Sequence, residues 1–581
     1  MILTELIDSL YTNTLAISVP SFLPELILCG TIVLMLLLRV PAWGQKINVF
    51  WVALLGTGVA LSVCAPLFFL GDVAKPDWVP EGAVKYNGDE LFTGMLIYDN
   101  LTIFFRGVLL FFTFLFITLT RLTGIPDADE APDFYTLVLG SVVGMCLMVS
   151  ANHVLMVFLG VEMASVPAYV LAGTLKGRRV ASEASLKFAI FGAGAAGIML
   201  YGLSLLCGAL GTAHIPSMAT QMADMLAAGG SEKQLVLVLG GLMMAVGLAF
   251  KLSAVPFHFW APDVFEGATA EIGAFLSVAS KAAALGLLIR VAVGFGGASF
   301  ITAPETPVAV VSPASVPQVH PVSFTALHPG EGEHEAETPA APTSASRLSA
   351  LAGAREYIVG LISLLAALTA TWGNLAAYGQ TNIKRLLAYS TIAHAGYMMM
   401  PIAAGVALLN NPAHGELARE AIRAVAVYVM VYLFMNLGAF AIVAMMRNAM
   451  RSEEISDYAG LIRTCPGVAI CFALILVSLI GIPPLAGFLA KVYIFKAMVE
   501  AQLWWLLIIG GVNAVISLFY YLRVIKVMMM DPEPEQRLPI RFTTIWLESI
   551  YVVIVTLPLL AMTIWWESVE RLTGNAVSNL F

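Results

Sequence analysis

Fourteen runs of about twenty predominantly apolar residues divide this chain, at 21–39, 48–71, 98–120, 134–151, 154–175, 186–210, 235–260, 272–295, 356–378, 386–408, 421–446, 467–498, 503–528 and 544–566. A run of that length matches the hydrocarbon core of a bilayer. Inside that core a helix satisfies its own backbone polar groups without water. Composition agrees, because 59% of the residues are hydrophobic and 12% charged, where a soluble domain carries roughly 25% charged residues. The expected fold class is an all-α polytopic membrane protein of about 14 transmembrane helices.

The same composition excludes several function classes. Net charge is −8 with no long basic run, which argues against a nucleic-acid partner. The six cysteines, Cys29, Cys64, Cys146, Cys207, Cys465 and Cys471, form no CxxC and no cluster with histidine. That spacing suits neither zinc, nor an iron–sulfur cluster, nor a disulfide scaffold. The first residues carry Glu5 and Asp8 and no basic segment, so they do not read as a signal peptide.

Lysine and arginine in the short loops set the expected orientation. Arg39, Lys46, Arg121, Lys176, Arg178, Arg179, Lys384, Arg385, Arg447, Arg451, Arg463, Arg537 and Arg541 fall on one side, which is then cytoplasmic. Fewer fall on the other: Lys75, Lys85, Lys233, Arg347, Arg355, Arg419, Arg423 and Arg571. Both termini are expected outside, as an even number of spans requires. Residues 296–354, rich in Pro, Ala, Ser, Thr and Glu, read as a disordered outside loop. His328, Glu331, Glu333, His334 and Glu335 within it read as solvated charge rather than a metal site.

Seven basic residues fall inside spanning runs: Arg106, Lys187, Lys251, Lys281, Arg290, Lys491 and Lys496. A charge at the bilayer centre costs about 2.5–3.5 kcal/mol on insertion scales. Arg290 and Lys496 lie near helix ends, where snorkelling removes most of that cost. Arg106 is intermediate. Lys251, Lys281, Lys491 and the carboxylate Glu162 lie at depth, where ionisable groups mark a paired network or a water-filled path. Lysine suits a proton relay, because burial disfavours its charged form and a nearby carboxylate restores it. Lys187 follows Glu183 at the favourable helical ion-pair spacing, so a structural pair and a relay position are both open.

Two spans are interrupted. The seventh contains Pro256 and the twelfth Pro483 and Pro484, and each also carries a lysine, Lys251 or Lys491. Proline frees a carbonyl, which a membrane tolerates where the backbone lines a cavity. Interrupted segments five spans apart predict two inverted five-helix repeats, over 134–295 (spans 4–8) and 355–528 (spans 9–13). Residues 1–120 precede them with spans 1–3, and 544–566 follow as span 14. His258, two residues beyond Pro256, and His394, in YSTIAHAGYMM, are candidate relay groups with near-neutral titration, or else ordinary hydrogen-bonding residues.

KLSAVPFHFWAPDVFEGA, NIKRLLAYSTIAHAGYMM, GIPPLAGFLAKVYIF, FLGVEMASVPAYVLAG and SEASLKFAIFGA together resemble the antiporter-like subunits of respiratory complex I, NADH:quinone oxidoreductase. The likeness covers about 90–295 and 355–530 and is nearest the N branch. The M and L branches and Mrp-type antiporters usually read WLPDA where this chain reads WAPDVFEGA, and tend to carry histidine in place of Lys281. The resemblance implies that Glu162 pairs with Lys251 and that Lys281 is the central relay, reached through water near His258. It implies that Lys491 faces the outer exit and a neighbouring subunit, and that Lys187 lies near the intake side. It implies a bacterial plasma-membrane location, other membrane subunits as partners, and no cofactor in this chain. Flavin (FMN), iron–sulfur clusters and quinone would belong to partner subunits. One departure is local: the family's Pro-Thr-Pro is Thr269-Ala270-Glu271 here, and the added Glu271 carboxylate is expected to alter the electrostatics of its neighbours.

The leading expectation is a proton-translocating, non-redox subunit of that complex. A stand-alone or Mrp-type cation/proton antiporter would share the buried lysines yet work without NADH. A scaffold whose charges only hold helices together would lose assembly, not pumping, when they are removed.

Overall fold

The computed structural model describes residue 11 and residues 13–42, 44–70, 89–127, 130–175, 177–227, 231–297, 344–534 and 545–580. It is a helical bundle with one small hairpin. In chain order the principal elements are α1 (Leu23–Leu38), α2 (Val49–Leu70), β1 (Asp89–Leu91), β2 (Leu96–Tyr98), α3 (Asn100–Thr123), α4 (Ala131–Ser150), α5 (Val154–Ala172), α6 (Arg179–Leu210) and α7 (Ile215–Ala227). There follow α8 (Ser231–Leu252), α9 (Trp260–Gly267), α10 (Ala270–Gly296), α11 (Ser344–Ala350), α12 (Ala352–Ala377), α13 (Ile383–Leu408) and α14 (Gly415–Met450). The chain ends in α15 (Pro466–Ile480), α16 (Ala486–Glu500), α17 (Trp504–Met529), α18 (Ile545–Ile564) and α19 (Trp566–Val577).

Among the described residues, eleven helices are long and apolar enough to cross a membrane, and Leu23–Leu38, Val49–Cys64 and Pro466–Ile480 are shorter apolar helices. Side-chain capping sets several starts. Asp99 accepts from the Thr102 amide at 2.8 Å ahead of α3, and Asn382 from the Lys384 amide at 2.9 Å ahead of α13.

The bundle has a buried centre and an exposed apolar rim. In the most apolar windows of α10, α13 and α14, 94% of residues are buried, against 33% for α17 and 39% for α6. Large apolar side chains on the rim helices, such as Leu186, Ile190, Leu364, Ile508 and Phe519, are exposed, as a bilayer solvent allows. Where α12 meets α13 the backbones nearly touch: a Cβ on Gly373 would lie 2.6 Å from the Ala393 nitrogen, and one on Gly396 2.5 Å from that of Ala370. Small residues let membrane helices approach this closely.

Both predicted interruptions are present, and they are built alike. After Leu252 the chain turns left-handed at Ser253 (φ 56°), and after Ile480 at Gly481 (φ 83°). In each case a proline follows three residues later, Pro256 and Pro484. Pro167, Pro401 and Pro558 sit inside continuous helices instead. Proline alone does not break these spans; the left-handed residue ahead of it does.

The structure differs from expectation in two places. Residues 344–354 do not belong to a disordered loop: α11 is helical, Leu348 and Leu351 are buried, and Arg347 forks onto Asp224 at 2.9 and 3.2 Å. Ala and Ser dominate this stretch, and its one apolar turn is too short to stand out in the sequence. The histidines and glutamates at 328–335 lie outside the described residues. The hairpin β1–β2 was not anticipated, since strands of three residues leave no period to detect.

Candidate functional site

Each broken helix ends by satisfying some of its own carbonyls. At the first break the Ser253 amide bonds Phe250 O at 3.0 Å and the Ala254 amide bonds Ala249 O at 2.7 Å. At the second, the Gly481 amide bonds Ser478 O at 3.0 Å and the Ile482 amide bonds Val477 O at 3.3 Å. This paired closure leaves the last two carbonyls of each helix unanswered from within. A lysine answers the last of them at the first break and both at the second. Lys281, on α10, donates to Leu252 O at 2.6 Å. Lys491, on α16, donates to Ile480 O at 2.7 Å and Leu479 O at 3.1 Å, and lies 5.0 Å from the centre of the Tyr397 ring. The negative end of a helix dipole favours a cation there.

Lys251, Lys281 and Lys491 are all buried. None has a carboxylate within ion-pair distance among the described residues. Glu162, on α5, is near enough to interact electrostatically with Lys251, but its buried Oε1 has no hydrogen-bond partner. The implied Glu162–Lys251 pair is therefore not a contact here; the two helices hold the groups near one another without closing the bridge.

His394 stands between the halves, within electrostatic range of both Lys281 and Lys491. Its ring nitrogens bond two tyrosine hydroxyls, Tyr428 at 2.7 Å and Tyr521 at 3.3 Å, and Tyr521 is in turn bonded to Ser390. Glu162 beside Lys251, Lys281 bonded to Leu252 next to Lys251 in the chain, and His394 within range of Lys281 and Lys491 make a succession of neighbouring groups. His258 lies apart from this succession in the turn after the first break, half-buried, its Nδ1 without a partner and its ring edge-on to Trp372 at 5.8 Å.

The lysine- and arginine-rich end carries a second network. Lys187 bonds Asp263 at 2.7 Å and Glu183 at 2.9 Å, so the helical pair exists and is extended by a residue that spacing does not reveal. Asp263 also meets Arg385 at 3.0 Å, and Arg385 meets Glu266 at 2.5 Å. Just beneath, Lys384 is buried, not a loop charge as its position in the sequence implied. It pairs with Glu453 at 2.8 Å and donates to Glu266 O and Ala268 O at 2.7 and 2.9 Å. Glu271 is fully buried nearby, within electrostatic reach of Lys384, with neither carboxylate oxygen hydrogen-bonded.

Two intramembrane arginines have carboxylate partners, and one of them departs from expectation. Arg290 does not snorkel: both terminal nitrogens bond Asp99, and Nη2 also bonds Thr102 Oγ1 at 2.8 Å. Arg106 pairs with Glu25 at 2.7 Å, and their side chains are 2% and 1% exposed. Glu25 and Asp99, like Asp263 and Tyr428, carry no role in the sequence reading. Glu25 and Asp99 are each an acid inside or at the edge of an apolar run, and that placement is the signal that marks them. Arg290→Lys keeps the charge and loses the fork. Since hydrogen bonds to charged groups contribute about 1.5–3 kcal/mol, the yield of assembled chain on native gels is expected to fall; an unchanged yield would show the fork to be dispensable.

Comparison with known proteins agrees with this geometry. A family model described as NADH:quinone oxidoreductase/Mrp antiporter, transmembrane, matches residues 151–313 and 343–517. NADH-quinone oxidoreductase subunit N of Anaeromyxobacter sp. (strain Fw109-5) is 36% identical over 571 residues, covering 95% of each chain. NAD(P)H-quinone oxidoreductase subunit 2 of Gloeobacter violaceus is 33% identical over 526 residues, covering 90% of this chain and 84% of that one. A chain of respiratory complex I from Thermus thermophilus with bound aureothin is 26% identical, with a TM-score of 0.65 over 94% of this chain and 97% of that one. A chain of the Mrp complex from Dietzia sp. DQ12-45-1b shares the fold, with a TM-score of 0.71 at 18% identity over 97% of this chain and 98% of that one.

Fold and buried lysines together define an antiporter-like membrane subunit. The chain belongs to the NADH:quinone oxidoreductase/Mrp antiporter family, among relatives that carry the name subunit N.

Proposed function

We propose that this chain is the proton-translocating subunit N of an NADH:quinone oxidoreductase, moving protons along Glu162, Lys251, Lys281, His394 and Lys491. The observation that carries this reading is a contrast between two kinds of buried cation. Arg106 and Arg290 have carboxylate partners, Glu25 and Asp99, as fixed structural charges should. Lys281 and Lys491 are held by carbonyls alone. A lysine bound to neutral dipoles can lose its proton and still donate an N–H to them. A guanidinium keeps its charge at any physiological pH. The arginines are thus built to stay charged and the lysines to change state, which weighs against a pure scaffold.

Protons are taken to enter at the lysine- and arginine-rich end, where Lys187 and the buried Glu271 lie, with His258 a lateral access point beside the first break. The matched interruptions support two inverted five-helix repeats over 134–295 and 355–528 in a scheme of fourteen spans. In a bacterial inner membrane, the positive-inside bias supports both termini outside. Electron transfer from NADH, with its FMN, iron–sulfur clusters and quinone, takes place in partner subunits, and neighbouring antiporter-like subunits flank this one. An Mrp-type cation/proton antiporter is the second reading, favoured by the shared fold.

Purification of the tagged chain in mild detergent separates the two readings: NADH-oxidising activity should co-elute, and elution without it would favour the antiporter. Lys251→Ala and Glu162→Ala are expected to lower NADH-driven proton uptake per assembled complex severalfold while leaving assembly intact. Uptake at the wild-type ratio in both variants would sink the relay assignment for these two residues.

A further inference from the structure

The broken helices present a feature that a relay alone does not require. In membrane transporters the ends of interrupted helices, with their exposed carbonyls, are where sodium is coordinated. Here each break keeps its last carbonyls unanswered by backbone, turned toward the bundle interior, and in both halves a lysine ammonium stands in that position. At the second break the fit is close on every side. Lys491 Nζ takes Ile480 O at 2.7 Å and Leu479 O at 3.1 Å, with the Tyr397 ring beneath. A Cβ on Gly481 would come within 2.7 Å of Lys491 Cδ, so the stem lies against the turn itself. At the first break Lys281 reaches Leu252 O from a different helix, by a different route, to the same helix-end location.

We infer that Lys281 and Lys491 are tethered occupants of the alkali-cation sites the two breaks would otherwise form, and that this occupancy makes the path one for protons and closes it to sodium. The inference rests on the relay reading and deepens it by naming the ion. A covalently tethered group competes for its site at an effective concentration of roughly millimolar or higher, and it cannot leave. In its charged state the ammonium fills the site as sodium would. After giving up its proton, the amine still fills the space and still donates an N–H to a carbonyl, so no vacancy opens for an alkali ion. Only protons change place, one leaving the lysine nitrogen for the next acceptor and another reaching it from the preceding group.

The test uses the whole assembled complex. Lys491→Ala empties the site, whereas Lys491→Met fills it without a charge. Equilibrium binding of 22Na+ at fixed ionic strength, with choline as the replacement cation, is compared with NADH-driven proton uptake in proteoliposomes. The alanine variant is expected to bind about one more sodium per complex than the wild type, the methionine variant none, and both to lose most proton uptake. Sodium binding equal to wild type in the alanine variant would overturn the inference while leaving the relay standing. Wild-type proton uptake in both variants would overturn the relay itself. If Lys491→Ala does not assemble, Lys281→Ala and Lys281→Met carry the same comparison at the first break.

Discussion

Glu25→Gln is expected to remove most of the assembled chain from the membrane. The pair it breaks is the most deeply buried ion pair described here: Arg106 Nε lies 2.7 Å from Glu25 Oε1, and Arg106 Nη1 donates to Ser21 O at 3.0 Å. Tyr98 lies against the guanidinium, its ring centre 5.3 Å away. Glutamine retains the shape and leaves an arginine charge buried without a counterion. Breaking such a pair costs about 3–5 kcal/mol, a large part of what a membrane subunit has to spare. The amount of chain recovered in the complex on native gels reads this directly. Joint replacement of the pair, Glu25→Gln with Arg106→Met, should recover much of the loss, because no charge is then stranded. Full assembly of the single variant would show that the pair is not structural.

Gly481→Ala has the second largest expected effect, and it falls on pumping more than on assembly. Gly481 is left-handed at φ 83°, where an L-residue costs roughly 1–2 kcal/mol. Its new Cβ would also press on the Lys491 stem at 2.7 Å and shift the ammonium from its carbonyls. Proton uptake per assembled complex should drop severalfold. Gly481→Asn separates the two causes, because asparagine tolerates the left-handed region but still carries the Cβ. A pumping loss in both variants assigns the effect to Lys491. A loss in Gly481→Ala alone assigns it to the backbone.

Much of this arrangement was legible in the sequence because its signals are local. Spanning runs are long and uniform, and a lysine in the middle of one is conspicuous. Pro256 and Pro484 marked the two breaks, while Ser253 and Gly481, which turn the chain, were passed over. What the sequence did not disclose is which groups face which. Arg290 and Asp99 are 191 residues apart, and Lys384 reaches the carbonyl of Glu266 across 118. Nothing in composition or period links such positions. Glu162 and Lys251 were expected to touch because a family resemblance implied it, and they face one another without contact. Lys281 and Lys491 were expected at depth, but not their carbonyl partners, since a free carbonyl is a property of helix geometry rather than of residue type.

The most direct test of the relay is the ratio of protons translocated to electrons transferred in complexes carrying Lys281→Met, reconstituted in proteoliposomes and compared with wild type at equal quinone reductase rates. Methionine keeps the bulk of the side chain and removes its proton. A lower ratio in complexes of normal subunit composition is the expected result. A wild-type ratio would contradict a proton path through Lys281.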